Sequence, residues 1–232
     1  MVAVTITLPR RFCGPPDSAN GGYTAGVLAQ HVGTTAEVTL RRPPPLDRPL
    51  VVEPEESRVV LRDGADLIAE ASATTVDVDV RPPVTLDTAA AVSLSSPFRD
   101  ATIHPFPTCF TCGPSRQQDD GLRLFAGRVP GTDSFAAPWT PSEVSDEIVW
   151  AALDCPSCAV IYLDDSHPPA HVLGRIAARI DHRPQPGAPH IIMSWPLERT
   201  GRKVLSASAI LDSDARLCAV ARATWIRLAD TP

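Results

Sequence analysis

Long apolar runs are absent from this 232-residue sequence, since no stretch approaches the ~18 residues of a membrane-spanning helix. Apolar residues make up 44% and charged residues 21% of the chain, which indicates a globular protein with a buried core. No basic segment precedes the apolar residues at the start, where residues 1–8 alternate as a strand does. We therefore expect a cytoplasmic protein without a signal peptide and without a membrane partner.

Lysine is almost missing, because Lys203 is the only one. The 21 basic residues are outnumbered by 27 acidic residues, which gives a net charge of −6. The arginines are scattered, so the sequence lacks the positive patch that nucleic-acid binding requires. We expect no nucleic-acid partner.

Cysteine is present six times, in a pattern unlike that of small disulfide-rich secreted proteins. Four cysteines form two Cys-x-x-Cys pairs, Cys109 with Cys112 and Cys155 with Cys158. This spacing is typical of zinc ligands, and Cys112-Gly113 is typical of a knuckle-like turn, but the two pairs are farther apart than in most zinc sites. We expect ordinary buried thiols and no cofactor, with a four-thiolate zinc site as the alternative.

Two distant segments of the sequence repeat each other. Residues 61–74 and 211–224 align without a gap, and seven of the fourteen positions are identical. Each segment has a strand, a turn rich in Asp and a second strand with period two, which is typical of a β-hairpin with one buried face. The match indicates an internal duplication, and the alternative is chance similarity in an alanine-rich chain.

The repeat extends to the order of the elements around each hairpin. In the first half we predict a strand over residues 2–8, a helix over 23–32 and strands over 36–40, 50–53, 57–62 and 65–80. In the second half we predict strands over 122–129 and 134–137, a helix from about Ser145, and strands over 172–180, 190–195, 203–211 and 217–228. One helix ahead of antiparallel strands predicts an α+β fold in which a sheet wraps a helix. The predicted domains are residues 1–95 and 121–232, joined by a proline-containing linker over 96–120.

This order of elements resembles the double-hotdog acyl-CoA thioesterases of the thioesterase II kind. The similar motifs are the Gly-Gly helix entry at residues 21–30, the strand end at 40–43, the helix at 150–154 and the last hairpin at 214–227. The resemblance implies a tandem hotdog fold, with two antiparallel sheets that each wrap a central helix. It also implies hydrolysis of an acyl thioester of CoA or of a carrier protein. Assembly into a homo-oligomer is compatible with such a fold.

The first half offers backbone amides for this reaction. The N–H groups of Gly22 and Tyr23 are expected to bind the thioester oxyanion, because a helix N-terminus presents unpaired N–H groups and glycine permits close approach. Asn20 and Gly21 are expected to contact the substrate. The alternative is that the two glycines only form the loop and the helix cap.

The second half offers a carboxylate. Asp154 follows an apolar run over residues 148–153 and is expected to act as a general base or a nucleophile. In the alternative interpretation, Asp154 or Cys155 caps a helical turn that begins with Pro156.

The glutamine that works with this aspartate in the resembling family is missing. Residues 221–224 read Ala-Arg-Ala-Thr where the resemblance places it. Thr224 or Ser194 would then supply a hydroxyl, and Arg222 would pair with Asp154 or with a CoA phosphate. Other basic side chains that would bind CoA phosphates, or else lie solvated on the surface, are Arg41, Arg42, Arg202 and Lys203.

Two other classes of function remain open. An enoyl-thioester hydratase or dehydratase is one, because a fold does not fix the reaction, and His171 is its candidate partner for Asp154. A non-catalytic acyl-binding protein is the other, suggested by the missing glutamine. The remaining histidines considered, His104, His167, His182 and His190, are expected to be surface groups or to have satisfied hydrogen bonds.

Overall fold

The computed structural model describes residues 2–33 and 35–229. Its helices are α1 (Gly21–Ala29), α2 (Leu86–Leu94) and α3 (Asp146–Cys158). Its strands are β1 (Val4–Thr7), β2 (Ala36–Leu40), β3 (Pro49–Pro54), β4 (Val59–Asp63), β5 (Asp66–Ala73), β6 (Gly127–Arg128), β7 (Phe135–Trp139), β8 (His171–Ile180), β9 (His190–Thr200), β10 (Lys203–Asp212) and β11 (Leu217–Arg227). Within the described ranges, no helix has the length and apolar character needed to cross a bilayer.

The eleven strands form one antiparallel sheet in the order β1-β3-β4-β5-β2-β8-β11-β10-β9-β7-β6. Strands of the two halves meet where β2 pairs with β8, with Val38 opposite Ile176. Two separate sheets were predicted, and the structure instead joins all the strands into one. The physical reason is that each half would otherwise leave the edge of β2 or β8 without hydrogen-bond partners.

Both repeated segments form the predicted hairpins. β4 pairs with β5, and β10 pairs with β11, each across a short turn. In each hairpin one residue of the second strand is left out of the register, which is a β-bulge. The bulged residues are Ile68 and Cys218, which occupy the same position in the two aligned segments.

The helices α1 and α3 pack against each other on one face of the sheet. Two glycines of α1 allow this: a Cβ on Gly22 would lie 2.4 Å from Cβ of Asp154, and a Cβ on Gly26 would lie 2.5 Å from Cα of Glu147. Because both side chains are absent, the helix backbones come into direct contact. Leu28 of α1 is fully buried in the core that these helices share with the sheet.

Helix α2 covers the opposite face of the sheet and departs from the sequence-based prediction. The strand predicted up to residue 80 ends at Ala73, and the chain then runs without a helix or strand to Thr85. The Thr85 side chain accepts a hydrogen bond from the amide of Thr88, which is an N-cap that starts the helix. Ala89 and Val92 are buried with residues of β7 and β9. The strand predicted over residues 122–129 is likewise reduced to the short β6.

Candidate active site

An apolar cavity of about 590 Å³ lies between the first half, the linker and the second half. Its wall includes residues 14–21 and 40–44 from the first half and residues 168–169, 171–174 and 225–226 from the second. The linker contributes Phe98 and Phe106, and the end of α3 contributes Asp154. Such a volume, with few polar groups in an apolar wall, is typical of small-molecule sites.

Asp154 is the buried carboxylate of this cavity, with only 1% of its surface exposed. Its Oδ2 accepts a hydrogen bond from the amide of Gly22 at 2.9 Å. Its Oδ1 has no hydrogen-bond partner among the described residues. Burial raises the pKa of Asp154 to about 7, although the hydrogen bond from the Gly22 amide and the nearby side chain of Asn20 act in the opposite direction. Oδ1 is therefore an unpaired acceptor on a residue that lines the cavity, and the atom itself is shielded from solvent.

Asn20 links the start of α1 to the end of α3. Its Oδ1 accepts a hydrogen bond from the amide of Tyr23 at 2.8 Å, which is the N-cap of α1. Its Nδ2 lies 3.8 Å from Sγ of Cys109 and 3.7 Å from Sγ of Cys155. Asn20 is 2% exposed and lines the cavity. This is the location predicted for it, and its contact with a substrate stays a prediction.

The amides predicted to form an oxyanion hole already have acceptors. The Gly22 N–H donates to Asp154 and the Tyr23 N–H donates to Asn20. These hydrogen bonds contradict the assignment of both amides to the thioester oxygen. The amide of Gly21 is the other candidate donor to the thioester oxygen. Gly21 lines the cavity, and because it is the first residue of α1, its N–H has no intrahelical carbonyl to which it can donate.

Helix α3 continues through Pro156 to Cys158, so the alternative in which Asp154 or Cys155 caps a new helical turn is wrong. Side-chain hydroxyls satisfy the carbonyl groups of its last turns. Ser208 donates to the carbonyl of Leu153 and Ser194 donates to that of Pro156, both at 2.7 Å. Ser194 is fully buried in this role, which contradicts its prediction as a catalytic hydroxyl.

Replacing Ser208 by alanine is expected to lower the free energy of unfolding by about 0.5–1.5 kcal/mol, because the buried carbonyl of Leu153 would lose the hydrogen bond that it accepts from the Ser208 hydroxyl. Ser206 on the same strand provides the matched control. Its Oγ is equally buried but has no partner among the described residues, so Ser206→Ala should be neutral or stabilising. Urea denaturation measures both variants, and equal losses would contradict the assignment.

Three of the predicted site residues lie away from the cavity. Trp225 on β11 faces α3, where its Nε1 donates to Oγ of Ser157 at 2.9 Å. Because side chains alternate along a strand, Thr224 and Arg222 point to the opposite face, and Arg222 lies 3.5 Å from the carboxylate of Glu37. This placement contradicts pairing of Arg222 with Asp154 and catalysis by Thr224. Arg202, the third, is exposed in the turn before β10.

Two histidines line the cavity. His171, at the start of β8, places Nδ1 2.7 Å from the carbonyl of Pro169. His104, in the linker, is 6% exposed rather than on the surface. Its Nδ1 accepts a hydrogen bond from the Phe106 amide at 3.0 Å, whereas its Nε2 lacks a partner among the described residues, so only one of its two nitrogens is satisfied. Burial lowers the pKa of both imidazoles. No sequence spacing pointed to His104, because it reaches the site only through the irregular path of the linker.

The four paired cysteines all lie in the cavity wall. The Sγ atoms of Cys109, Cys112 and Cys155 lie within 4.8 Å of one another, and all three residues are buried. Cys158, the fourth, lies outside this group of three.

No protein-family model matches the sequence, and no curated protein matches it. Solved structures do match. A protein of unknown function with a hotdog fold from Alicyclobacillus acidocaldarius is 11% identical, with a TM-score of 0.64 over 99% of this chain and 94% of that one. The tesB protein of Mycobacterium avium subspecies paratuberculosis is 11% identical, with a TM-score of 0.65 over 98% and 93%. This chain has a hotdog fold. An acyl-CoA thioesterase II of Mycobacterium marinum is also similar, at 10% identity and a TM-score of 0.60 over 92% and 91%.

The hotdog fold explains why the two halves build the cavity together. In this chain α1 and α3 occupy the same face of the sheet, and the amide of Gly22 on α1 holds the carboxylate of Asp154 on α3. The predicted α+β hotdog is thus confirmed at the level of the fold. Identities of 10–11% carry no further assignment to this chain.

Proposed function

We propose that this chain hydrolyses acyl thioesters of CoA or of a carrier protein, with Asp154 as the general base. The observation that carries the proposal is the free Oδ1 of a buried carboxylate in the wall of an apolar cavity. A cavity of about 590 Å³ suits an acyl chain, which needs apolar walls and one polar end. Similarity to structures named tesB protein and acyl-CoA thioesterase II is in keeping with this reaction.

The chemistry follows from the positions of Asp154 and Gly21. Oδ1 of Asp154 takes a proton from a water molecule, whose oxygen attacks the thioester carbonyl carbon. The carbonyl oxygen becomes an oxyanion, which the N–H of Gly21 at the helix N-terminus stabilises. The tetrahedral intermediate then breaks its carbon–sulfur bond, and the leaving thiolate recovers the proton. The products are a carboxylic acid and a free thiol.

The phosphates of CoA would meet the basic side chains at the edge of the cavity. Arg41 and Arg42 line the cavity and are exposed. Both already form ion pairs, Arg41 with Glu70 and Arg42 with Asp66. A phosphate would therefore compete with the carboxylates of Asp66 and of Glu70, whose side chain is only 14% exposed.

The proposal is tested by thiol release from a panel of acyl-CoA and acyl-carrier substrates of graded chain length. We expect turnover of at least one substrate class, with free thiol and carboxylic acid formed in equal amounts. Saturable binding of acyl-CoA without release of thiol would reject hydrolysis and identify a non-catalytic acyl-binding protein.

A hydratase or dehydratase is the second candidate, because His171 lines the same cavity as Asp154. Addition of water to an enoyl thioester needs an acid and a base on opposite sides of the double bond. Loss of the enoyl absorbance without release of thiol would favour this reaction over hydrolysis. A His171→Ala variant should then lose activity, whereas hydrolysis by Asp154 should persist in that variant.

We also infer that the two halves arose by tandem duplication. The strand order β1-β3-β4-β5-β2 of the first half corresponds to β7-β9-β10-β11-β8 of the second. Each helix lies between corresponding strands, α1 between β1 and β2 and α3 between β7 and β8. The bulges at Ile68 and Cys218 add a shared irregularity that hairpin formation alone does not require. These features support two hotdog units within residues 1–95 and 121–232.

A further inference from the structure

The thiols in the cavity wall come from two unrelated chain segments. Cys109 and Cys112 belong to the linker, whereas Cys155 belongs to the last turn of α3. Sγ of Cys109 lies 3.6 Å from Sγ of Cys155, and the three sulfur atoms lie within 4.8 Å of one another. Buried cysteines commonly pack as single apolar groups, so a cluster of three needs a separate explanation.

The separation between Sγ of Cys109 and Sγ of Cys155 is close to that of two ligands of one metal ion. Zn²⁺ binds thiolates at about 2.3 Å in tetrahedral geometry, which places two ligand sulfurs about 3.8 Å apart. The 3.6 Å between Cys109 and Cys155 is close to this tetrahedral edge. It is far longer than the disulfide bond length of about 2.05 Å.

The linker cysteines lie in a tight turn of the kind that supports a thiolate ligand. The amide of Gly113 donates to the carbonyl of Cys109 at 2.9 Å. A Cβ on Gly113 would lie 2.5 Å from the backbone N and O of Cys109, so only glycine permits this turn.

Asn20 supplies donors to the same sulfurs from a third segment. Its Nδ2 lies within 3.8 Å of Sγ of Cys109 and of Cys155. Donors placed around the ligand atoms orient them and stabilise their charged form, which is the usual surrounding of a metal site. The three segments thus converge on one point in the cavity wall.

The proposed ion would join an irregular but well-buried segment to α3. Residues 100–126 contain no helix or strand, yet Phe110, Leu124 and Phe125 of this stretch are almost fully buried. Long irregular segments inside a compact domain are uncommon. This one is already tied to α3 by a hydrogen bond from the hydroxyl of Thr111 to the carbonyl of Ala151 at 3.2 Å. A metal ion that joins the linker to α3 would hold it in place.

We propose that Cys109, Cys112 and Cys155 bind one Zn²⁺ ion, which fastens the linker to α3 and leaves its fourth position open to the cavity. The site is independent of the hydrolysis proposed above, since its occupancy is measured without any substrate. Binding releases the three thiol protons to solvent, and the ion's charge offsets most of the charge of the three thiolates. Three protein ligands with a fourth position open are a recognised zinc arrangement.

Metal analysis of the full-length protein, purified under reducing conditions, tests this proposal. We expect about one equivalent of zinc per chain. Replacement by Co²⁺ should give the sulfur-to-metal charge-transfer bands and the intense visible bands of a tetrahedral thiolate site. Zinc well below one equivalent together with no such cobalt spectrum would overturn the proposal, as would a disulfide between Cys109 and Cys155 in the protein as isolated.

Serine variants identify the ligands. Cys109→Ser, Cys112→Ser and Cys155→Ser should each lose the metal, whereas Cys218→Ser, at another buried cysteine, should keep it. Cys158→Ser should also retain the ion, and its loss there would contradict the three-ligand assignment. The cobalt spectrum of the unaltered protein decides the question even where a variant fails to fold.

Asn20→Ser tests the surroundings of the site. Serine is a favoured N-cap residue, so the cap of α1 is kept, but it removes the N–H groups near the two sulfurs. We expect zinc affinity to fall about 10- to 100-fold in a competition titration with a chelator. Unchanged affinity would contradict the role given to Asn20.

Discussion

Replacing Asp154 by asparagine is expected to lower kcat for acyl-thioester hydrolysis by about 100- to 10,000-fold, the usual effect of losing a general base. The asparagine side chain has the same shape, and its oxygen can still accept the hydrogen bond from the Gly22 amide. Its NH₂ group then replaces the free Oδ1, and an amide cannot take a proton from water. Steady-state thiol release gives kcat and KM for both proteins.

Asp119→Asn is the matched control, because Asp119 is an exposed carboxylate in the linker. This variant should keep its full kcat. Circular dichroism and thermal melting check that Asp154→Asn remains folded, as expected when a buried carboxyl is replaced by a neutral group of equal size. Full activity in Asp154→Asn, or a change confined to KM, would reject Asp154 as the base.

The parts of the fold that the sequence predicts are those that depend on local patterns. The hairpins over residues 61–74 and 211–224 carry both strand alternation and turn residues, so each specifies its own pairing. Helix α2 carries little such pattern, since its nine residues bury only Ala89, Val92 and Ser93. Its position depends on docking to β7 and β9, which are distant in the sequence.

Some features of the candidate site can likewise be predicted from the sequence, and others cannot. Asp154 is predictable, because a carboxylate at the end of an apolar run implies burial. The use of the Gly22 amide is not, since its acceptor lies 132 residues away and only the contact between α1 and α3 brings the two together. The direction of the Thr224 and Arg222 side chains depends on which residues of β11 face the helices. Trp225 is one that does, so its neighbour Thr224 and, two residues further, Arg222 face the other side of the sheet.

The thiol cluster shows the limit of spacing as a signal. Each Cys-x-x-Cys pair is visible in the sequence, and the long separation between the pairs argues against a shared site. Folding removes that objection, because the linker crosses the end of α3 and places Cys109 beside Cys155. The ligand set also changes from four cysteines to three, since Cys158 falls outside the group.

Replacing Gly22 by alanine is expected to lower the free energy of unfolding by about 3 kcal/mol, at the upper end of the usual cost of overpacking. The added Cβ would lie 2.4 Å from Cβ of Asp154 and 2.7 Å from the carbonyl oxygen of Trp150. Both obstacles belong to or adjoin the backbone of α3, so no side-chain rotation relieves them. Urea denaturation measures the loss. Gly187→Ala is the control: it has nothing within 4 Å, and its φ of 77° should cost only about 1 kcal/mol.

A variant at a second glycine of α1, Gly26, distinguishes the effect of helix packing from the effect of positioning the Asp154 carboxylate. A Cβ on Gly26 would lie 2.5 Å from Cα of Glu147, so Gly26→Ala should destabilise the protein about as much as Gly22→Ala does. Of these two glycines, only Gly22 donates a hydrogen bond to Asp154. A Cβ at residue 22 would displace α3 beside Asp154 and so misalign the base. We therefore expect kcat to fall much further in Gly22→Ala than in Gly26→Ala at equal stability. Equal kcat values in the two variants would mean that the hydrogen bond from Gly22 does not position Asp154.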